Sequence, residues 1–383
     1  MANTNTRHSD KWRLPDGSFP TMAGGAVIDD IMDQAALTDS IVGPVETEME
    51  LAPFVGEQIA PMQDTDSQYV SMRVEDMHAT GIGQFRTPES SIPLMSLTGR
   101  EEREEVIELA YLDEAHRISP RRWEILTQGG NLLAAREARR LVEIGQILER
   151  RNERLTEWMR WGAFSGQVTL EYQLRDTALV IDYPLPAGHK PSTGVSWNDT
   201  TNSDPVNDLK TWLKTVSNDA GSPGRKVHIT DDDAAWITAN QKLRTYFNVP
   251  TGQPFMPTLD DVLKLLPPGT QFVPCNGAYR EESVGASKAP SAHTRYLPIG
   301  NVLITTDYTI DGTNIAETLN GPVEIKTSPD STSFLPGPQS EIILKGEGVY
   351  TRLLRQASRR IVRLKRPEAF LYADVLSPLR PGA

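Results

Sequence analysis

The sequence has little of what secreted proteins, membrane proteins and most enzymes require. Its 383 residues include one cysteine, Cys275, so no disulfide can form within the chain and no cysteine set can hold zinc. A reducing compartment is the corresponding expectation. No apolar run approaches the roughly eighteen residues of a membrane-spanning helix, and the polar first ten residues are not followed by an apolar segment of signal-peptide type. Positive charge is in deficit, with 39 Lys and Arg against 51 Asp and Glu and a formal net charge of -12. That balance argues against a dedicated nucleic-acid binder. Lysine is absent altogether between Lys11 and Lys190.

Catalytic syntax is missing as well, with no GxSxG elbow, no HExxH pair and no complete phosphate loop. Asp231-Asp232-Asp233 could ligate magnesium, and a metal-dependent hydrolase built on them is one reading. However, the triplet stands directly before Ala234-Ala-Trp-Ile, where carboxylates cap a helix and complement its dipole. Gly188-His-Lys-Pro-Ser192 lacks phosphate-loop spacing and reads as a linker. His78, His116, His189, His228 and His293 are scattered. We therefore assign no catalytic, cofactor-binding or metal-binding residue, and no cofactor.

What the chain does have is a long charged rod. Gly129 and Gly130 interrupt the preceding segment, Asn131 can cap, and no proline follows until Pro184, so the pattern predicts a helix over about 132–164. At 1.5 Å per residue it would run roughly 50 Å. Leu133, Leu141, Ile144, Leu148, Leu155, Trp158 and Met159 make one narrow apolar stripe. Its charges are only partly matched along the helix: Arg150/Glu153 and Glu157/Arg160 are favourable, while Glu149/Glu153, Glu153/Glu157 and Arg150/Arg154 set like charges four apart. Either a solvated face or complementary groups on neighbouring chains would account for them.

Around the rod the chain alternates between extended and compact segments. Residues 1 to 50 read as an arm, with turn formers at Pro15-Asp-Gly17, Gly24-Gly25 and Gly43-Pro44 and a short helical pattern at Val27 to Leu37. Asp66 to Ser119 reads as a long two-stranded excursion, with turn glycines Gly81 and Gly83 and an acidic return leg, Glu101 to Glu114. Such a ribbon buries too little to stand alone and should lie on another subunit. Val168 to Leu174 and Thr177 to Tyr183, separated by Arg175-Asp176, read as a hairpin. Beyond the linker at Pro184 to Gly194, the pattern predicts helices at about 205–216, 232–247 and 259–265 and strands near 226–229, 271–273 and 299–305, a mixed α/β domain. Thr306 to Pro338, rich in Gly, Thr, Ser and Pro, reads as surface insertion. The basic passage Arg352 to Arg366 lacks interleaved aromatics for base stacking, so we read it as pairing with acidic protein segments rather than phosphate.

This order of parts resembles the lambda-type major capsid proteins of tailed bacteriophages. The residues that carry the resemblance are Leu51-Ala-Pro-Phe-Val with Ile59-Ala-Pro61, Ala115-His-Arg-Ile-Ser-Pro120, the helix start at Asn131 to Arg140, Val180-Ile-Asp-Tyr183, and Trp197-Asn-Asp199 with Ser203-Asp-Pro-Val-Asn-Asp-Leu209. It spans roughly residues 45 to 375. The resemblance implies an α+β, HK97-like capsid fold divided as N-terminal arm 1–62, extended loop 63–118, peripheral domain 119–194 with its spine helix 131–164, axial domain 195–345, and return strand with C-terminus 346–383. It further implies a non-enzymatic shell protein whose hexamers and pentamers tile an icosahedron around double-stranded DNA without sequence-specific binding. Portal and scaffolding or decoration proteins would be partners, assembly would occur in the bacterial host cytoplasm, and no membrane would be involved. A nanocompartment shell of encapsulin type would share the fold.

Some relatives of this fold weld their shells through lysine-to-asparagine isopeptide bonds, which need a lysine amine at the extended loop as nucleophile. No lysine occurs between Lys11 and Lys190, and a guanidinium stays protonated and cannot replace it. Particles boiled in SDS with reductant should therefore run as one band near 42.5 kDa. A ladder of covalent oligomers would overturn this.

Overall fold

The computed structural model describes residues 34–51, 53–74, 103–127, 132–171, 178–250, 255–280, 293–328, 331–345 and 351–376. The arm before residue 34, the turn glycines Gly81 and Gly83, the Asn131 cap and the Arg175-Asp176 turn lie outside these residues.

The described chain opens with α1, Gln34–Leu51, where the sequence pattern suggested turns at Gly43-Pro44. Leu37, Ile41, Val42 and Val45 recur on one face and are buried, and packing that face outweighs the local helix-breaking tendency. Pro44 has no N–H to donate to the carbonyl four residues back. That carbonyl, Ser40 O, instead accepts from Gln146 Nε2 at 3.3 Å. Next come α2, Val55–Ile59, β1, Met62–Asp64, and β2, Tyr69–Val74. β2 pairs antiparallel with β3, Arg103–Glu108, from Tyr69↔Glu108 to Val74↔Arg103. Their pairing is the root of the extended loop. After Leu109 the return leg continues as β4, Ala110–Ile118, and a short helix α3, Pro120–Thr127.

The rod is α4, Leu132–Ser165, 34 residues long. It ends at Gly166, in the left-handed region at φ +91°, and turns into the hairpin β5, Gln167–Glu171, and β6, Ala178–Asp182.

The first helix of the segment expected to form the axial domain is α5, Pro205–Ala220. Its N-terminus is capped by Asp204 accepting from Asn207 N, and its C-terminus is closed by Gly221 at φ 62°. β7, Lys226–Ile229, follows, and then α6, Asp231–Ala239, and α7, Lys242–Tyr246. One helix was expected over 232–247, but Asn240 adopts extended backbone. Its side chain ties back to Ser203 Oγ at 2.8 Å and accepts from Lys242 N at 2.9 Å. The remaining elements of this domain are α8, Leu259–Leu263, β8, Gln271–Pro274, the small pair β9, Ala278–Arg280, and β10, His293–Arg295, and β11, Asn301–Thr305.

Residues 306–338 are not a surface insertion. After the tight pair β12, Thr309–Ile310, and β13, Thr313–Asn314, the chain forms β14, Ala316–Ser328, whose Ala316, Leu319, Val323 and Ile325 are buried. β15, Ser331–Pro336, folds back on it; then come β16, Gln339–Lys345, β17, Thr351–Leu364, and β18, Phe370–Asp374. β14 is central because it bridges β1 and β17 in one sheet, a long-range role that its Gly/Thr/Ser-rich composition does not announce.

Two sheets organise the molecule. In the six-stranded sheet, β17 pairs with β14, β16 and β4, with β1 and β15 attached through β14. The axial sheet has the order β18-β11-β7-β8. β14 and β16, placed by the sequence division in the axial domain, thus pair with the return strand, and β15 joins them through β14. β18, placed with that strand, completes the axial sheet. Trp197, Leu209, Leu213, Val227, Ile304 and Leu371 fill the axial core. A second core gathers Ile59, Met159, Phe164, Leu319 and Ile361, and a third joins Leu37 and Ile41 of α1 to Leu141 of α4 and Leu354 of β17.

Candidate functional site

The contacts that fix the projecting parts of the chain converge on the C-terminal half of α4. The N-terminal half packs conventionally through Ala134, Ala138, Leu141 and Leu148. From residue 149 onwards the inner face is polar: Glu149, Asn152, Glu153, Thr156, Glu157 and Arg160 are all buried. Leu133, Ile147 and Leu155 face outward, 54%, 55% and 41% exposed.

Arg360 of β17, 1% exposed, sits against this polar face. Its Nη2 donates to Glu149 Oε1 at 2.9 Å, and its Nη1 reaches Glu153 Oε1 at 2.7 Å and Thr156 Oγ1 at 3.0 Å. Gln356, four residues earlier on the same strand face, donates to Glu149 Oε2 at 2.6 Å. One turn on, Arg160 Nη1 pairs with Glu157 Oε2 at 3.2 Å, and its Nε donates to Thr318 Oγ1 of β14 at 2.9 Å. Glu157 Oε1 accepts from Trp161 Nε1 at 2.7 Å and from Gly56 N of α2 at 2.8 Å. A Cβ on Gly56 would stand 2.6 Å from the Glu157 carboxylate, so the arm approaches this closely only through glycine. The carbonyl of Ala60 accepts from Thr318 Oγ1 at 2.8 Å. Thr38 of α1 accepts from Ser340 N of β16 at 3.1 Å. Arm, spine helix and sheet are therefore stitched by one buried polar seam.

The rest of the basic passage is also engaged within the chain. Arg355 Nε donates to Asp113 Oδ1 at 2.9 Å and its other nitrogens reach Glu341 and Tyr111. Arg352 lies 4.5 Å over the Trp123 ring, Arg359 5.1 Å over Tyr111, and Arg363 and Lys365 both bind Glu317. Arg151 reaches Glu114 at 2.9 Å and Arg150 reaches Glu48 at 2.7 Å. Pairing with protein carboxylates was the reading taken from the sequence. The partners, however, belong to the same chain, because β4 lies alongside β17 and brings the acidic leg to the basic strand.

The residues of catalytic type have structural partners. Thr230 caps α6, with Asp233 N donating to its Oγ1 at 3.3 Å, and Asp233 Oδ1 accepts from Gly300 N at 3.0 Å. Asp232 pairs with Arg295 at 2.8 Å. Desolvation drives the His228 imidazole down to about 3, so it stays neutral, and pushes the buried Cys275 thiol up to about 12, where it is no nucleophile. His189 contacts Phe370 O at 2.6 Å and Asp219 Oδ2 at 2.8 Å, tying the linker to β18 and α5. Among the described residues, no group of three His, Cys, Asp or Glu side chains is placed to hold a metal.

The family model of phage major capsid protein E matches residues 41–318, well over half of the chain. The chain belongs to the phage major capsid protein E family. It is similar in structure to a protein assigned as the capsid protein of a prophage of E. coli CFT073, at 11% identity and a TM-score of 0.56, with 90% of this chain and 99% of that one covered. A phage-related protein of Bordetella bronchiseptica RB50 matches at 11% identity and a TM-score of 0.48, over 87% and 96% of the two chains. The capsid of cyanophage P-SCSP1u matches at 11% and 0.42, over 84% and 88%. No curated protein matches the sequence. The likeness to the prophage protein shows the α+β, HK97-like capsid fold. A capsid protein of this family is a structural component of the virion shell and not an enzyme.

For a capsid protein the seam's charge balance matters. Glu46 of α1 and Glu57 of α2 have pKa values raised above 4.5, first by desolvation and, among their neighbours, by the carboxylates of Glu153 with Glu149 or Glu157; Arg360 opposes both shifts and Arg160 that of Glu57. The sequence showed the stacked Glu149, Glu153 and Glu157, the signal that could have located the seam. Nothing in it pointed to Arg360.

Two outcomes follow from this arrangement. Replacing Arg360 with Met leaves Glu149 and Glu153 buried without their cation and should destabilise the chain by about 3–5 kcal/mol in denaturant titration; a loss below about 1 kcal/mol would mean the seam is wet. The carboxylates with raised pKa bind protons more tightly folded than unfolded, so arm docking should strengthen as pH falls from neutrality towards 4.5. Hydrogen exchange in α1 and α2 should slow over that window, and Glu46→Gln with Glu57→Gln should slow it already at pH 7 and flatten the dependence.

Proposed function

We propose that this chain tiles an icosahedral phage shell as hexamers and pentamers that enclose double-stranded DNA. The carrying observation is the outward apolar stripe of α4. At 100° per residue Leu133, Ile147 and Leu155 fall within a sector of about 80°, and the chain also carries the paired root β2–β3 of a longer excursion. An apolar stripe on a rigid helix and a ribbon needing support are complementary between copies of one chain. The ribbon of one copy lies along the spine helix of the next, and the arm clamps the pair. Many such contacts, each weak, let misplaced subunits leave while the closed shell gains avidity.

The division into arm 1–62, loop 63–118, peripheral domain 119–194, axial domain 195–345 and return segment 346–383 belongs to the same proposal, with sheet pairing crossing the later boundaries. The basic passage is occupied by carboxylates of its own chain. This supports enclosure of DNA without sequence-specific binding. Assembly takes place in the bacterial host cytoplasm, with portal and scaffolding or decoration proteins as partners. No helix among the described residues is long and apolar enough to cross a membrane.

Negative-stain microscopy of the expressed chain should show closed shells, or sheets and tubes of the same lattice. Ile147→Glu should abolish them while leaving circular dichroism and gel-filtration behaviour of a folded subunit. Normal shells from that variant would sink the proposed packing. Particles isolated from infected cells should protect DNA from nuclease, whereas an enzyme cargo without DNA would assign the chain to a nanocompartment.

A further inference from the structure

Where arm, spine helix and axial domain meet there is a cleft of about 160 Å³, lined by Phe54 and Val55, by Glu157 and Trp161, and by Cys275 and Tyr296. Phe54, Trp161 and Tyr296 give it an aromatic side. Phe54 and Tyr296 meet edge to face with centroids 6.1 Å apart, and the Trp161 ring forms a further side. Tyr296 is 8% exposed, and its buried hydroxyl has no hydrogen-bond partner among the described residues. Glu157 is close enough to influence that hydroxyl electrostatically, yet no hydrogen bond joins them. Both residues line the same cleft, so an unpartnered hydroxyl and a carboxylate are available there to a donor that reaches both.

The sign of that donor follows from its surroundings. Glu46, Glu57, Glu149, Glu153 and Glu157 share this part of the molecule with Arg160 and Arg360 as buried cations among the described residues, and with Arg154 acting on Tyr296 from the surface, so carboxylates remain in excess. An anion would be repelled, and a neutral group would leave the excess unbalanced. An ammonium donates three hydrogen bonds, is attracted to the faces of Trp and Tyr rings, and can rest its methylenes on them. Pro53 and Gly277 at the rim are exposed, which opens a route from solvent.

We propose that this cleft binds a primary alkylammonium, one end of an aliphatic diamine or polyamine, held between the Glu157 carboxylate and the Tyr296 hydroxyl oxygen. The ligand touches arm, spine helix and axial domain together, so occupancy holds the arm in its docked position.

The test is calorimetric titration of the purified full chain with 1,4-diaminobutane at fixed ionic strength, with 1,4-butanediol as the neutral match. Saturable binding of the diamine at one site per chain, and none of the diol, is expected. Glu157→Gln keeps an acceptor for Gly56 N and Trp161 Nε1 but removes the charge, and should weaken binding about thirtyfold or more. Tyr296→Phe removes only the hydroxyl and should weaken it about three- to tenfold. It decides the matter if Glu157→Gln fails to fold. No saturable binding, equal binding of the diol, or unchanged affinity in a folded Tyr296→Phe chain overturns the proposal.

Discussion

A guanidinium removed from water needs acceptors in the protein, and those that the two terminal nitrogens of Arg360 meet lie on one helix face. Glu149, Glu153 and Thr156 lie at spacings of four and three, so meeting all three fixes both the position and the rotation of α4 against β17. That rotation decides everything outside it. It turns the polar stripe inward and leaves Leu133, Ile147 and Leu155 on the outer surface. β17 is also the strand to which β4, β14 and β16 pair, so the root of the extended loop and the strand that meets α1 inherit the same placement. Buried ion pairs add little net stability over a hydrophobic isostere, but they tolerate few alternative geometries.

The arm is held differently from the strands. α1 has an apolar face against α4, and α2 adds the buried Ile59 and a glycine backbone N–H donated to Glu157. The carboxylates gathered beneath α1 and α2 repel one another and offset part of that hold. For a subunit that must join a lattice, a firm body with lightly held extensions is a workable division, since each extension can be exchanged for a contact with another copy. The carboxylate excess under the arm places that exchange under the control of protons and cations.

Much of the fold was legible because it depends on local pattern. The absence of proline from 132 to 165 and the stripe of Leu141 and Leu148 predict the rod to within a residue or so. Asp204 before Pro205 and the alternation in Lys226 to Ile229 announce α5 and β7. The misreadings share a cause. Pro44 sits inside a helix because Gln146, about a hundred residues later, takes the orphaned carbonyl. Asn240 breaks a helix because Ser203 holds its side chain. β14 is a central strand because β17 and β1 flank it, whatever its Gly and Thr content suggests.

The seam shows the division most clearly. The sequence by itself determined that Glu149, Glu153 and Glu157 would stack on one helix face, and left open whether that face meets solvent or complementary groups on neighbouring chains. It also settled that no lysine was available for cross-linking along the loop and spine, and that Cys275 had no partner within its chain. Whether the cations would come from another subunit or from the same chain was decided only by tertiary structure. The choice depends on β4 pairing with β17 and on β17 crossing under α4. Those contacts join residues about two hundred positions apart, and their free energy comes from closing a sheet and a core together rather than from any property of either segment alone.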